Sequence, residues 1–533
     1  MMETSAIPPV APPLAELTRG LLEAPPDLPV SDVTLDSRAA SPGALFLACA
    51  GHARHGLAFA AEALARGASA LLYEPYPGAV ELLEKAVGEG CPDPSVRGQA
   101  GFRELPGGGT HRVFVAPVAQ LARHAGVIAD RFFGHPSRSL AVAGITGTNG
   151  KTTCAWLLTQ ALARCGRAAA YMGTLGFGFP GALEDTEHTT ADAVSVQRRL
   201  ARLRNLGARW VGMEVSSHAL DQHRIAGIRL HTAALTNLTR DHLDYHGTMG
   251  AYAGAKARLF AVEGLVNRVI NIDDAFGARL AAQAAEAALI VTARSAASAA
   301  MPPGARRVRA SEVRPEGTGL RIRIESSWGD GELTVPLIGE FNADNALTVL
   351  AILLGADVPL AEALAALRSC RAAPGRMEAF GGDAGRPLAI VDYAHTPDAL
   401  DKALRAARRH CRGTLRVVFG CGGDRDSGKR PMMGRIAAGL ADEIIVTDDN
   451  PRTEAPGRIA AEILSGVEAT ARIRVEHDRR AAIRLALGRC APQDVVLVAG
   501  KGHEAYQIYG HERRAFRDQT VVCEALDLGE ACP

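Results

Sequence analysis

Residues 147–153 run Gly147, Thr148, Asn149, Gly150, Lys151, Thr152, Thr153, directly after the apolar stretch 141–146. A short strand that enters a glycine-rich turn and leaves it as a helix makes a cradle for nucleotide phosphates. Backbone N–H groups close around phosphate oxygens, Lys151 reaches the terminal phosphates, and a threonine hydroxyl holds the magnesium ion that bridges them. The spacing departs from the commonest phosphate loop in one respect, since five residues rather than four separate Gly144 from Gly150.

Positive charge in this chain is written almost wholly as arginine. Lysine and arginine total 59, yet only Lys85, Lys151, Lys256, Lys402, Lys429 and Lys501 are lysines. A guanidinium is planar and permanently charged, whereas an amine is compact, can lose its proton and can react. Lys85 and Lys402 read as surface positions. The other four fall inside motifs.

Three polar clusters follow the cradle. Residues 213–224 include Glu214, Ser216, His218, Gln222 and Arg224; residues 236–246 include Asn237, Asp241, His242 and Tyr245; residues 251–256 include Tyr252 and end on Lys256. Oxygen and imidazole groups emerging at strand ends beside a phosphate cradle suit coordination of one or two magnesium ions and neutralisation of a phosphoryl group in transfer.

The elements that must hold these groups follow from hydrophobic periodicity. Length predicts about two to four domains. Residues 1–136 alternate apolar runs at 44–48, 70–73 and 112–115 with a helical stretch at 57–66, the pattern of a small α/β domain, and 91–111 reads as a Gly- and Pro-rich surface loop. Residues 137–370 alternate strands (168–173, 210–215, 232–238, 269–273) with helices, which predicts a mainly parallel sheet with ligands at the carboxyl ends of its strands. Alternation at 320–324 and 333–337 predicts an appended antiparallel sheet. Residues 371–533, with buried strands at 388–391, 416–419, 443–446 and 495–498 and a helix at 397–410, read as a Rossmann-like α/β domain.

With 47% hydrophobic residues, 22% charged residues and a net charge of +1, the chain has no basic excess for nucleic acid. No segment reads as a signal peptide or a membrane span. The ten cysteines are scattered without a Cys-x-x-Cys pair, so neither a zinc site nor a disulfide framework is expected, and a reducing cytoplasm suits the chain.

Together the motifs at 147–152, 214–217, 237–242 and 252–256 resemble the Mur ligase family, enzymes that extend the peptide of the bacterial cell-wall precursor. Further likeness lies in Gly339 to Asn345, Pro374 to Glu378, Asp392 to Pro397, Gly423 to Arg430, Asp449 to Arg452 and Gly500 to Glu504. The resemblance covers nearly the whole chain and is to the family's third-residue ligases. It implies a three-domain α/β protein: a uridine-nucleotide domain at 1–136, an ATP domain at 137–370 and an amino-acid domain at 371–533.

The resemblance also implies roles. Gly147 to Thr153 would bind ATP, with Asn342 and Asn345 near adenine and Arg376 and Asp392 completing the site from the third domain. Thr152, Glu214, His242 and Lys256 would surround magnesium, with Lys256 carbamylated. An ammonium beside a cation is repelled, whereas carbon dioxide added to a neutral amine gives an anionic carbamate, which arginine could not form. Leu35, Ser37, His52, Ala53, Arg54, His188, Thr189, Thr190, Ser216, Gln222 and Arg224 would contact the UDP-muramoyl dipeptide. His188 stands where the family usually has asparagine, and Ala191 where proline is common.

Arg430, Asp449, Asn450, Pro451, Arg452, Gly500 and Glu504 would hold the incoming amino acid. Meso-diaminopimelate carries a distal carboxylate and amine; an arginine fork suits the first and Glu504 the second. L-Lysine lacks that carboxylate and would leave Arg452 unpaired. A lysine-adding ligase, a folylpolyglutamate synthase and a catalytically silent nucleotide binder are the alternatives. The chain is expected to be a monomer.

Overall fold

The computed structural model describes residues 7–8, 10–51, 54–87, 100–104, 112–283, 289–295, 301–383, 385–468 and 472–529. His52 and Ala53 therefore lie outside the described residues, as does most of the expected 91–111 loop. The chain forms two compact units, one of residues 1–151 with 166–268 and the other of residues 152–165 with 269–533.

In the first unit an N-terminal sheet orders its strands Val33–Thr34, Leu45–Ala48, Ala70–Tyr73, Arg112–Pro117 and Gly101–Glu104, the last antiparallel to its neighbour. That last strand corrects the reading of 91–111 as loop throughout: Phe102 sets its ring edge-on to Phe114, 5.7 Å between centroids, on the partner strand. The helix expected at 57–66 is a 3-10 turn, Gly56–Phe59, leading into a short α-helix, Ala60–Ala65. The remaining strands of this unit lie in the order Thr232–Leu235, Ala141–Thr146, Trp210–Glu214, Ala169–Gly173, Gly176–Phe179, Ala182–Glu184. The first four are parallel, as the alternation predicts, and the last two add an antiparallel extension that it did not.

This parallel register puts the cradle, Glu214 and Thr236 at neighbouring strand ends, where open α/β sheets bind ligands. Helix Ala193–Asn205 packs beside them; Asp192 caps it by accepting from the N–H groups of Val194 and Ser195.

In the second unit, strands Gly329–Val335, Gly319–Ser326 and Arg306–Glu316 form the expected antiparallel sheet, with Leu289–Ala293 parallel to the last of them. The C-terminal sheet is ordered Glu378–Gly381, Leu388–Asp392, Val495–Ala499, Leu415–Phe419, Glu443–Val446, Ile473–Val475. Its central strands are almost wholly apolar and buried, apart from Arg416, which pairs with Glu443 and Asp494, the mark of a parallel sheet covered on both faces. Helix Pro397–His410 has the bounds expected, with Pro397 in its first turn, Thr396 capping Ala399 N–H, and Arg408, Arg409 and His410 in its last turn.

Among the described residues seven cysteines are free thiols and Cys523 is disulfide-bonded. Among the described residues no helix is long and apolar enough to cross a membrane.

Candidate active site

The cradle is laced to the segment that follows the Thr232–Leu235 strand. Thr148 N–H donates to Asn237 O (2.9 Å), Asn149 N–H to Asn237 Oδ1 (3.0 Å), and Thr236 Oγ1 to Asn149 O (2.6 Å). Gly147 sits at φ +151°, and a Cβ there would meet Thr236 Oγ1 at 1.9 Å, so the turn admits only glycine. Lys151 folds back onto its own loop, donating to Gly147 O (2.8 Å) and Thr148 O (2.9 Å), which holds its ammonium at the mouth of the cradle. Thr152 and Thr153 are buried at the start of helix Lys151–Arg164.

Glu214 ends its strand as a buried carboxylate. Tyr171 OH and Thr174 N–H (2.9 Å) donate to Oε1, and Thr174 Oγ1 donates to Oε2 (3.2 Å). A Cβ at Gly173 would fall 2.2 Å from Oε1, so glycine is what leaves room for the acid. Tyr171 and Thr174 gave no signal in the sequence, since their importance comes from standing opposite Glu214 in the adjacent strand and its turn.

Lys256 is 1% exposed. Its Nζ lies over the Tyr252 ring, 4.5 Å from the centroid, and no ion pair to it forms among the described residues. Burial, helped by the nearby Lys151 charge, pushes its pKa down to about 6, so the amine is mostly neutral at pH 7. His242 takes the left-handed conformation at φ +52° and packs edge-on to His218 and Tyr252. Burial lowers its pKa too, which keeps the imidazole in the form that ligates metals.

Among the described residues no group of three or more His, Cys, Asp or Glu side chains converges as a metal cage. Magnesium keeps waters and phosphate oxygens in its shell and takes only one or two protein carboxylates. Glu214 and His242 are the side chains of this unit, among those expected at the metal, that present an oxygen or nitrogen donor as they stand.

The dipeptide-binding residues expected around Glu214 do come together. Thr190 Oγ1 donates to Glu214 O (2.9 Å) and accepts from Ser216 N–H (3.1 Å); Thr189 Oγ1 meets Thr174 Oγ1 at 3.0 Å; Arg224 Nη1 donates to Thr190 O (2.8 Å). Ser216 also caps helix Ser217–Asp221. His188 is exposed. Leu35 and Ser37 belong to the N-terminal sheet region, with Ser37 donating to Glu62 (2.7 Å), and Arg54 is exposed.

In the second unit, Asn342 and Asn345 are buried and bonded to each other: Asn345 Nδ2 donates to Asn342 Oδ1 (2.7 Å), and Cys154 Sγ approaches Asn345 Oδ1 (3.4 Å). Asp392 accepts from Met377 N–H (2.8 Å); burial raises its pKa, and the Arg376 charge opposes the rise. Arg376 lies over the Tyr393 ring with Nε buried and lacking a hydrogen-bond acceptor among the described residues.

The amino-acid motif forms one buried network. Asn450 Nδ2 donates to Glu504 Oε2 (2.8 Å), and Lys501 Nζ donates to both Asn450 Oδ1 and Glu504 Oε2 (3.1 Å each). Asp449 is buried behind them, its pKa raised by desolvation against the Lys501 and Arg479 charges. A Cβ at Gly500, at φ +116°, would lie 2.5 Å from Asp449 Oδ2. Arg452 is left-handed at φ +53°. Its N–H donates to Ile508 O (3.0 Å), its carbonyl accepts from Gly510 N–H (2.7 Å), and its Nη1 donates to Gly423 O (2.8 Å). Pro451 is buried just before it.

Arg430 corrects the sequence reading. It is fully buried, and its guanidinium is consumed by Glu454 (2.9 Å to each oxygen), Glu462 (2.7 Å) and Gly422 O (3.0 Å). These four bonds occupy both terminal nitrogens, while Nε is buried without an acceptor among the described residues, so Arg430 ties its own segment to Glu454 and to helix Pro456–Leu464 and turns no terminal nitrogen toward a ligand. The motif alone could not separate it from Arg425, which is exposed on the same loop. Lys501 was flagged only by the scarcity of lysine, and its place under Glu504 became visible with the fold.

The chain matches the Mur ligase family catalytic domain over residues 29–132, the Mur ligase middle domain over 145–353 and the Mur ligase glutamate ligase domain over 375–502. It is similar to the UDP-N-acetylmuramoyl-L-alanyl-D-glutamate–2,6-diaminopimelate ligase of Alkalilimnicola ehrlichii, 47% identical over 94% of this chain and 95% of that protein. The protein of the same name from Pseudomonas aeruginosa is 45% identical over 95% of this chain and 96% of its own length. A solved structure of a ligase of that name superposes with a TM-score of 0.67 at 33% identity, covering 97% of this chain and 99% of that one.

Proposed function

The chain belongs to the Mur ligase family, and from that premise we propose that it joins meso-2,6-diaminopimelate to the D-glutamate γ-carboxylate of UDP-N-acetylmuramoyl-L-alanyl-D-glutamate, consuming ATP. The likeness over nearly the full length to ligases of that name carries the reading, and the Arg452 motif supports the choice of amino acid. The γ-phosphoryl group passes to the substrate carboxylate, giving an acyl phosphate and ADP. The amine of diaminopimelate attacks the acyl carbon, the tetrahedral adduct loses phosphate, and an amide remains. Such chemistry needs positioning and charge dispersal more than covalent help from the protein.

The parts divide accordingly. Cradle N–H groups and Lys151 would hold the terminal phosphates, Thr152 and Glu214 would supply oxygen donors, and Asn342, Asn345, Arg376 and Asp392 are the further residues assigned to ATP. Magnesium, when bound with the nucleotide, neutralises phosphate charge. Lys256, as a neutral buried amine, takes up carbon dioxide: the nitrogen lone pair forms an N–C bond, a proton leaves, and a carbamate results. In the acceptor pocket Glu504 Oε2 is occupied by Asn450 and Lys501, which leaves Oε1 for the substrate's distal amine. Arg452 and Arg425 are the guanidinium groups left for the distal carboxylate. The setting is cytoplasmic, and the protein acts as a monomer.

Phosphate release from ATP, measured with the UDP-muramoyl dipeptide and either meso-diaminopimelate, L-lysine or no amino acid, tests this. Release with diaminopimelate alone is expected. Release with lysine at equal efficiency would overturn the acceptor assignment, and no release with either would overturn the ligase reading.

A further inference from the structure

Arg224 and Gln222 are oriented by side chains to which no individual binding role has been given. Arg224 Nε (2.9 Å) and Nη2 (2.6 Å) both donate to Gln222 Oε1. With its carbonyl so committed, Gln222 must present its NH2, and Nε2 donates to Tyr245 OH (3.0 Å). That oxygen has accepted, so its hydrogen goes outward, to Asp221 Oδ2 (3.0 Å). Arg258 Nη1 completes the series by donating to Asp221 Oδ1 (3.0 Å) and to the carbonyls of Leu220 and Asp221 (3.3 Å each).

The series has one direction only. Each link is fixed by the one before it, and reversing the Gln222 amide would set NH2 against the Arg224 guanidinium. Arg224 has five N–H groups. Its side fork is spent on Gln222 and one Nη1 hydrogen on Thr190 O, which leaves one N–H on each of Nη1 and Nη2, the pair that suits a carboxylate end-on.

We infer that Tyr245 and Asp221 are positioning residues for the dipeptide substrate: the Arg258–Asp221–Tyr245–Gln222 relay fixes the Gln222 amide and thereby aims the open fork of Arg224 at a substrate carboxylate. This rests on the proposed function for the identity of the substrate. The relay itself is a property of the protein alone.

Tyr245→Phe removes one hydroxyl without changing shape. It leaves the Gln222 NH2 without an acceptor and releases its carboxamide to turn. The expected result is about a tenfold rise in KM for the UDP-muramoyl dipeptide, the size of one lost hydrogen bond, with KM for ATP and diaminopimelate within about twofold of wild type. Asp221→Ala, which removes the acceptor of the Tyr245 hydroxyl, should resemble Tyr245→Phe. Combined with Gln222→Ala, Tyr245→Phe should add nothing. Equal shifts for all three substrates, or effects that multiply in the double variant, would overturn the relay.

A readout without substrate separates this from the ligase reading. The Arg224 Nε–H resonance should be sharp in wild type and broaden in Tyr245→Phe. An unchanged resonance in Tyr245→Phe overturns the relay even in an active enzyme. A wild type that does not turn over the dipeptide overturns the ligase reading and leaves the resonance test to decide the relay.

Discussion

Lys256 and Lys501 are both buried amines in a chain that has only six lysines, at 1% and 0% exposure, and their surroundings are opposite. Lys501 sits under Glu504 and Asn450, with Asp449 beside it, so its charge is matched and two of its N–H donors have fixed targets. Lys256 faces an aromatic ring and a neighbouring lysine charge, and its amine is driven toward the neutral form. A buried cation with partners acts as a brace. A buried amine without them among the described residues can act as a nucleophile, and the proposed addition of carbon dioxide would convert it into an anion suited to its cationic surroundings.

Activity should break this comparison most strongly. Lys256→Ala is expected to lower kcat by about 10³-fold, as for loss of a preorganised charge at a reacting group, with partial recovery on adding a short carboxylic acid. Full activity without additive would remove the carbamate from the account. At the acceptor end, Arg452→Ala should lower kcat/KM for diaminopimelate by about 10²-fold or more while KM for the dipeptide stays near wild type, in steady-state assays that vary each substrate in turn.

Stability sharpens the contrast. Lys501→Met strands the Glu504 and Asp449 carboxylates and should cost about 3–5 kcal/mol in urea unfolding, whereas Lys256→Met, which replaces a neutral amine by an apolar chain, should stay within about 1 kcal/mol of wild type. Similar losses for both would mean that Lys256 has a charge partner after all.

The smallest effect is in pH. With a pKa of about 6, Lys256 is protonated below that value and free to add carbon dioxide above it. In protein stripped of carbon dioxide, uptake of labelled carbon at fixed dissolved gas should rise through about pH 6 and level off by about pH 8. An ordinary lysine amine would still be rising there. Carbon-13 resonance of the carbamate follows the uptake directly.

Much of this was legible before the fold. The parallel strands and the bounds of helix Pro397–His410 follow from apolar runs and caps that act locally. The cradle is legible because its glycines and lysine serve a turn only a few residues long. Side-chain partnerships across the sheet were not, because they are set by register: Tyr171 reaches Glu214 through a parallel pairing of residues 41 apart in sequence, Trp210 with Ala169 and Met213 with Met172. Arg430 shows the same limit. Its motif announces an arginine, but Glu454 and Glu462 arrive from a later loop and helix and consume it.

The most direct test is a competition in one vessel, with ATP, the UDP-muramoyl dipeptide and equal amounts of meso-diaminopimelate and L-lysine, and with the tripeptide product identified by mass. The account predicts the diaminopimelate product almost alone, and a surplus of it that collapses in Arg452→Ala. A mixture in proportion to supply, or the lysine product in excess, would contradict the assignment of this pocket to an amino acid with a distal carboxylate.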